Sequence, residues 1–145
     1  MSIFHNITIS NTQLGDVPYI FELENKNFID NNVYTIDQLK KMFNSRDYKM
    51  FSMFNGKELC GYSILHITDK IDLEKICIDK KYQRHGLGTL LLNKIFDKYK
   101  NKKVILEVNK KNINAINFYK KNNFKQISIR KNYYANNQDA IILER

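Results

Sequence analysis

The sequence predicts an α+β (mixed α/β) fold: a mixed, mostly antiparallel sheet of about seven strands with helices on both faces. Three observations carry that expectation. Hydrophobic periodicity switches along the chain between the alternation of strands and the longer period of helices, giving the order strand, two helices, three strands, helix, strand, helix, two strands. The three consecutive strands are separated by short turns and so run antiparallel, whereas the fourth and fifth are joined through a helix and so run parallel with a right-handed crossover. The length, 145 residues, suits one domain over 1–145 with a single core.

Each element has a local reason. "IFHNITIS" alternates and opens the chain as a strand. Asp16 as N-cap and Pro18 in the first turn start a helix through "YIFELENKNF". In "YTIDQLKKMF", Thr35 caps and Ile36, Leu39, Met42 and Phe43 make one apolar face. "YKMFSMF" and "ELCGYSILHIT" flank Asn55-Gly56, a hairpin turn signal. "IDLEKICID" supplies the fourth strand, about residues 73–79. A helix from about Gly86 to Tyr99 follows, with Leu87, Leu91, Ile95 and Tyr99 in an i, i+4 stripe. "KKVILEVN" reads as a buried fifth strand, "NINAINFYKKNN" as a short helix capped by Asn112 or Asn114, and "FKQISIR" and "DAIILER" as closing strands.

Composition narrows the class. The chain is 43% hydrophobic and 27% charged, which suits a globular protein rather than a disordered one. No apolar run approaches the roughly 20 residues of a membrane span. "MSIFHNITIS" has no basic region followed by an apolar block, so a cytoplasmic location is expected. Cys60 and Cys77 lie in apolar stretches without a histidine cluster, as buried free thiols do, and no metal is expected. The net charge of +9 comes mostly from lysines spread along the chain beside a similar abundance of asparagine. That pattern fits compositional bias with a local anion site better than a dedicated nucleic-acid surface.

The stretch "KYQRHGLGTLLLNKIF" holds two of the five glycines, Gly86 and Gly88, at the mouth of a helix. A Walker A loop needs Lys-Ser/Thr after its last glycine, and a dinucleotide fingerprint needs a third glycine at the first strand-helix turn; both fail here. What fits is a Gln/Arg-x-x-Gly-x-Gly/Ala loop with Gly86 and Gly88 as its glycines; the amides and helix terminus along Arg84, His85, Gly86, Leu87, Gly88 and Thr89 can face a pyrophosphate.

"YQRHGLGTLLL", following an apolar strand that ends in Asp79, resembles the acetyl-coenzyme A motif of the GNAT superfamily of N-acetyltransferases, and the element order resembles that fold along nearly the whole chain. "ILEVNKKNINAINFYKKNNF" and "RKNYYANNQDAIIL" are similar to segments of the RimI-type ribosomal-protein alanine N-acetyltransferases. The resemblance implies acetyl-CoA as co-substrate, Glu107 as general base and Tyr119 as general acid for the departing thiolate. A strand-end carboxylate facing solvent and a packed core tyrosine are the alternatives for those two side chains. It further implies backbone contacts from Ile76, Cys77 and Ile78 to the pantetheine arm, a pyrophosphate loop at Arg84, His85, Gly86, Leu87, Gly88 and Thr89, and a cofactor contact from Asn112, which could also be a plain cap. Tyr34, Asp72, Tyr133 and Tyr134 are candidates for the acceptor site. The sequence departs from the RimI pattern in three places. "NVYTID" replaces a Pro-Trp-Ser stretch, Lys75 stands where an asparagine usually precedes the coenzyme strand, and Asn123 replaces a glycine after the Tyr119 helix.

The expected function is therefore acetyl transfer to a primary amine, foremost the N-terminal α-amine (alanine) of a ribosomal protein, by a monomer without direct nucleic-acid or membrane contact. The alternatives are a GNAT enzyme for a small-molecule amine or a lysine side chain and, from another class, a non-catalytic basic module associated with ribosomes or RNA.

Overall fold

The structure is a computed structural model that describes residues 6–28, 33–134 and 137–145. Its strands are β1 (Ile7–Asn11), β2 (Tyr48–Asn55), β3 (Glu58–Ile67), β4 (Ile71–Ile78), β5 (Val104–Asn109), β6 (Lys125–Tyr134) and β7 (Gln138–Glu144). Its helices are α1 (Val17–Asn27), α2 (Ile36–Asn44), α3 (Leu87–Lys98) and α4 (Ile113–Lys121). The order of elements matches the expected one. The sheet runs β1-β2-β3-β4-β5-β7-β6, antiparallel at β1–β2, β2–β3, β5–β7 and β7–β6 and parallel at β4–β5. The parallel register is Ile71↔Val104 and Asp72↔Ile105. No helix among the described residues is long and apolar enough to cross a membrane.

The chain divides into two units, Met1–Thr68 with Glu74–Lys100, and Asp69–Leu73 with Asn101–Arg145. In the first, Val17, Ile20, Leu39, Tyr62 and Ile64 form a buried cluster under α1 and α2. Thr35 caps α2 as expected: its Oγ1 accepts from Gln38 N at 3.1 Å, and Gln38 Oε1 accepts from Thr35 N at 2.8 Å. The hairpin turn is shifted by one residue from the Asn-Gly expectation. Asn55 still pairs with Glu58, and Gly56 opens the turn at φ +61°, as a twisted two-residue turn requires. Helix α3 buries Leu87, Leu91, Leu92 and Ile95, at about 2 kcal/mol each for full burial.

In the second unit Val104, Leu106 and Val108 are buried while Ile105, Glu107 and Asn109 are half-buried. "KKVILEVN" was expected as a buried strand; it buries one face fully, and the period of two puts Glu107 on the other, half-buried one. Strand β6 runs four residues beyond the expected end at Arg130 and is exposed along nearly its whole length. Its register with β7 shifts at Gln126/Ser128 and again at Arg130/Tyr134. Asn123 takes φ +72° after α4, the left-handed conformation that asparagine tolerates best after glycine.

One cap differs from expectation. Asp16 precedes α1 but does not cap it; its Oδ2 accepts from Gln13 N at 2.8 Å and from Ser52 Oγ at 3.1 Å. A short 3-10 turn, Leu14–Asp16, leads directly into α1, so Asp16 already has helical backbone angles and its carboxylate turns back toward the preceding residues. Ile3, Phe4 and His5 of the expected first strand lie outside the described residues.

Candidate active site

The glycine turn is built on Asp79, which is 4% exposed. Its backbone N–H donates to Cys60 O at 2.8 Å, and its carboxylate accepts from Lys81 N at 3.3 Å and Lys26 Nζ at 3.1 Å. Behind the turn Tyr82 is buried; its hydroxyl donates to Glu58 Oε2 at 2.8 Å and accepts from Asn55 Nδ2 at 3.3 Å. Lys81 pairs with Glu58 and, with the Tyr82 hydrogen bond, holds that carboxyl below its ordinary range. These contacts fix the turn to the β2–β3 hairpin.

From Gln83 to Gly86 the chain is exposed. Arg84 and Gly86 take φ +67° and +80°, two left-handed residues that swing the backbone into α3. Gly86 is the N-cap residue and brings no side chain, so the first amides of the twelve-residue helix are not covered by a cap. A Cβ added at Gly86 would meet nothing within 4 Å. Uncapped amides, a positive helix end and open space at Gly86 suit a diphosphate.

Alternation along β4 settles which backbone edge is which. Cys77 O lies 2.9 Å from a Cβ built at Gly61, and Asp79 N bonds Cys60, so Cys77 and Asp79 face β3. Ile76 and Ile78 therefore turn their amides and carbonyls to the opposite edge. Two side chains that sequence reasoning missed close on Ile78 O: Asn27 Nδ2 at 3.1 Å and Gln83 Nε2 at 2.8 Å. Asn27 Nδ2 also reaches Cys77 Sγ at 3.1 Å. Burial pushes the thiols of Cys60 and Cys77 up to about 11, so both are protonated at neutral pH, as the expectation of inert buried cysteines had it.

Near Tyr34 lies a buried charge that the pattern of apolar residues did not reveal. Glu24, on the inner face of α1, is 0% exposed. Its Oε1 accepts from the Tyr62 hydroxyl, and its Oε2 accepts from Lys75 Nζ at 3.1 Å and Tyr34 N at 2.7 Å. Lys75, whose side chain is 13% exposed, also stands 4.0 Å from the Phe28 ring centroid and 5.0 Å from that of Tyr34. Burial, with Glu74 and Glu24 beside it, pushes Tyr34 up to about 12. The signal for this cluster was a charge in register with the apolar face of α1, facing a lysine inside a strand.

In the second unit Glu107 on β5 keeps 27% of its side chain exposed and pairs with Arg130 Nη1 at 3.1 Å. Arg130 also lies over the Tyr133 ring at 5.4 Å, and Tyr133 meets Tyr134 edge-on at 5.0 Å. Burial, then the charge of Glu107, pushes Tyr134 up to about 12. Tyr119 packs against Phe118 and Phe124, and burial, with Tyr134 nearby, raises it further. Glu107, Tyr119, Tyr133 and Tyr134 thus form one electrostatically linked group. Asn112 acts as a cap, its Oδ1 accepting from Ala115 N at 3.2 Å, and Asp72 stands 4.0 Å from Lys70. The candidate residues fall into two sets: Tyr34, Ile76–Ile78 and Arg84–Thr89 in the first unit, and Asp72, Glu107, Asn112, Tyr119, Tyr133 and Tyr134 in the second. The first set offers backbone donors for a phosphate-bearing carrier; the second offers a carboxylate and protonated phenols for proton transfer.

Comparison with known proteins bears on that chemistry. The family model for an acetyltransferase (GNAT) domain matches residues 12–139. The ribosomal protein bS18-alanine N-acetyltransferase of Escherichia coli K12 is 30% identical over 146 aligned residues, which cover 94% of this chain and 95% of that protein. The crystal structure of the ribosomal-protein-S18-alanine N-acetyltransferase from Escherichia coli superposes with a TM-score of 0.84 at 27% identity, covering 95% of this chain and 92% of the other. Arabidopsis thaliana NAA60 in complex with acetyl-CoA shares the fold, with a TM-score of 0.86 at 14% identity over 97% and 99% of the two chains.

Proposed function

We propose that this chain, which belongs to the GNAT acetyltransferase family and is an acetyl-CoA-dependent N-acetyltransferase, acts on the N-terminal α-amine of a protein, foremost the N-terminal alanine of a ribosomal protein. The 1–145 stretch acts as one acetyltransferase domain, since the matched residues 12–139 run through both units. The observation that carries the reading is the glycine turn, an exposed left-handed Gly86 opening a helix whose first amides have no cap. The choice of acceptor rests on similarity along nearly the full length to an enzyme of that specificity.

In this reading the amides from Gly86 to Thr89 hold the diphosphate, Arg84 and His85 add donors, and the outward edge of Ile76–Ile78 pairs with the pantetheine arm. The amine nitrogen attacks the thioester carbonyl; the C–N bond forms and the C–S bond breaks. Glu107 takes the amine proton, directly or through water, and Tyr119 donates a hydrogen bond or its proton to the leaving thiolate. Burial raises Tyr119 further above a thiol, which favours the hydrogen-bonding role over full transfer, since even an ordinary phenol lies about 1.5 pK units above a thiol. An α-amine, with pKa about 7.7–8.0, is partly neutral at physiological pH where a lysine, at about 10.4, is not. A half-exposed carboxylate is then a sufficient base.

The test is release of coenzyme A from acetyl-CoA with peptides that begin with alanine, run against a lysine peptide blocked at its N-terminus and against small amines. Turnover confined to the alanine-starting peptides is expected. Turnover with small amines alone refutes the acceptor assignment.

A further inference from the structure

We propose that Lys75 is an acceptor-positioning residue: its ammonium fills a cation cage made by Glu24, Phe28 and Tyr34, and so holds fixed the end of α1 and the start of α2. The inference rests on the proposed function and on Tyr34, one of the residues the sequence offers as a candidate for the acceptor site. Glu24 is fully buried and its two carboxylate oxygens accept three hydrogen bonds, from Tyr62, Lys75 and the Tyr34 backbone. A buried carboxylate of this kind is tolerated only with such partners. Lys75 Nζ completes the cage from the other side, 3.1 Å from Glu24 and above both aromatic faces at 4.0 and 5.0 Å.

Three features make this more than a buried ion pair. Phe28 and Tyr34 flank residues 29–32, so one ammonium grips the chain on both sides of the helix connection. Lys75 immediately precedes Ile76, the first residue assigned to the pantetheine arm, so the cage is tied to the strand that would carry the thioester. Lys75 carries a full charge on a stem long enough to set it against both rings, which a neutral amide at this position would not supply. Without the Lys75 side chain, a carboxylate and two aromatic faces would be left to take a small ammonium ion.

The test uses the full chain with acetyl-CoA and an alanine-starting peptide. K75M is expected to raise the peptide KM about tenfold, equivalent to about 1.4 kcal/mol, with kcat and the acetyl-CoA KM within about twofold of wild type. The double variant E24Q/K75M, which leaves no unpaired buried charge, should show the same rise in peptide KM. Recovery of the wild-type KM in the double variant means that K75M acted through an orphaned carboxylate, and the positioning role falls. The cage is tested separately, without thioester. K75A should bind propylammonium by calorimetry at a concentration where the wild-type protein does not, and equal weak binding by both overturns the cage. A wild-type enzyme that turns over no peptide refutes the proposed function itself. An active wild type with an equally active K75M refutes only the role of Lys75.

Discussion

Replacing Gly86 with alanine separates backbone strain from ligand contact. The glycine sits at φ +80° with open space where a Cβ would go, so alanine meets no clash and the folded protein bears only the left-handed penalty, about 1–2 kcal/mol. For a chain of this size that lowers the midpoint of thermal unfolding by about 4 °C per kcal/mol. Gly56 is the matched control. It has φ +61°, a built Cβ 3.5 Å from Asn6 Nδ2, and a place in the β2–β3 hairpin instead of the proposed phosphate turn. G56A and G86A should therefore lose similar stability by differential scanning fluorimetry. Acetyl-CoA affinity measured by calorimetry should stay at the wild-type value in G56A and fall about tenfold or more in G86A, where the new methyl group occupies space that the diphosphate needs. If the two variants bind acetyl-CoA equally well, the amides at the mouth of α3 do not hold the coenzyme.

Three further outcomes are expected. E107Q should lower kcat by about a hundredfold or more at saturating peptide, while chemical denaturation shifts by less than about 1 kcal/mol because the Arg130 pair it breaks is partly exposed; wild-type turnover removes Glu107 as the base. Tyr34 and Tyr134 are raised from 10.0 to about 12 in the folded chain, so the folded state holds their protons longer than the unfolded one. Their contribution is complete below about pH 10 and is lost as pH rises toward 12, so stability measured by urea titration should fall over that window and fall less in Y34F. Iodoacetamide at pH 8 should leave Cys60 and Cys77 unmodified in the folded protein, and mass spectrometry showing alkylation at the rate of a free thiol contradicts their burial and raised pKa.

Much of the architecture was legible because it rests on short-range signals. The Thr35 capping box, the Gly56 turn and the leucine stripe of α3 each declare an element from a few neighbouring residues, and the strand-helix-strand succession then fixes the parallel β4–β5 pair. The glycine turn was legible for the same reason. What escaped were contacts between residues distant in sequence. Glu24 and Lys75 lie 51 residues apart, as do Asn27 and Ile78, and periodicity along one segment carries no information about which charge faces which. Asp16 was misread because capping statistics treat a helix start as isolated, whereas here a 3-10 turn runs straight into it. The half-buried face of β5 was hidden by Ile105, an apolar residue on that side that makes the segment look uniformly buried.

The carbonyl of Ile78 is a joint in this protein. One oxygen atom receives Asn27 from the last residue of α1 and Gln83 from the approach to Gly86, so helix and turn share an anchor at the end of the strand between them. Any displacement of the loop tugs on the helix terminus three residues after Glu24, and ordering of the loop by a bound anion would rigidify that terminus in return. Protection of the amides at the end of α1 against hydrogen exchange would then report on occupancy of the proposed phosphate turn.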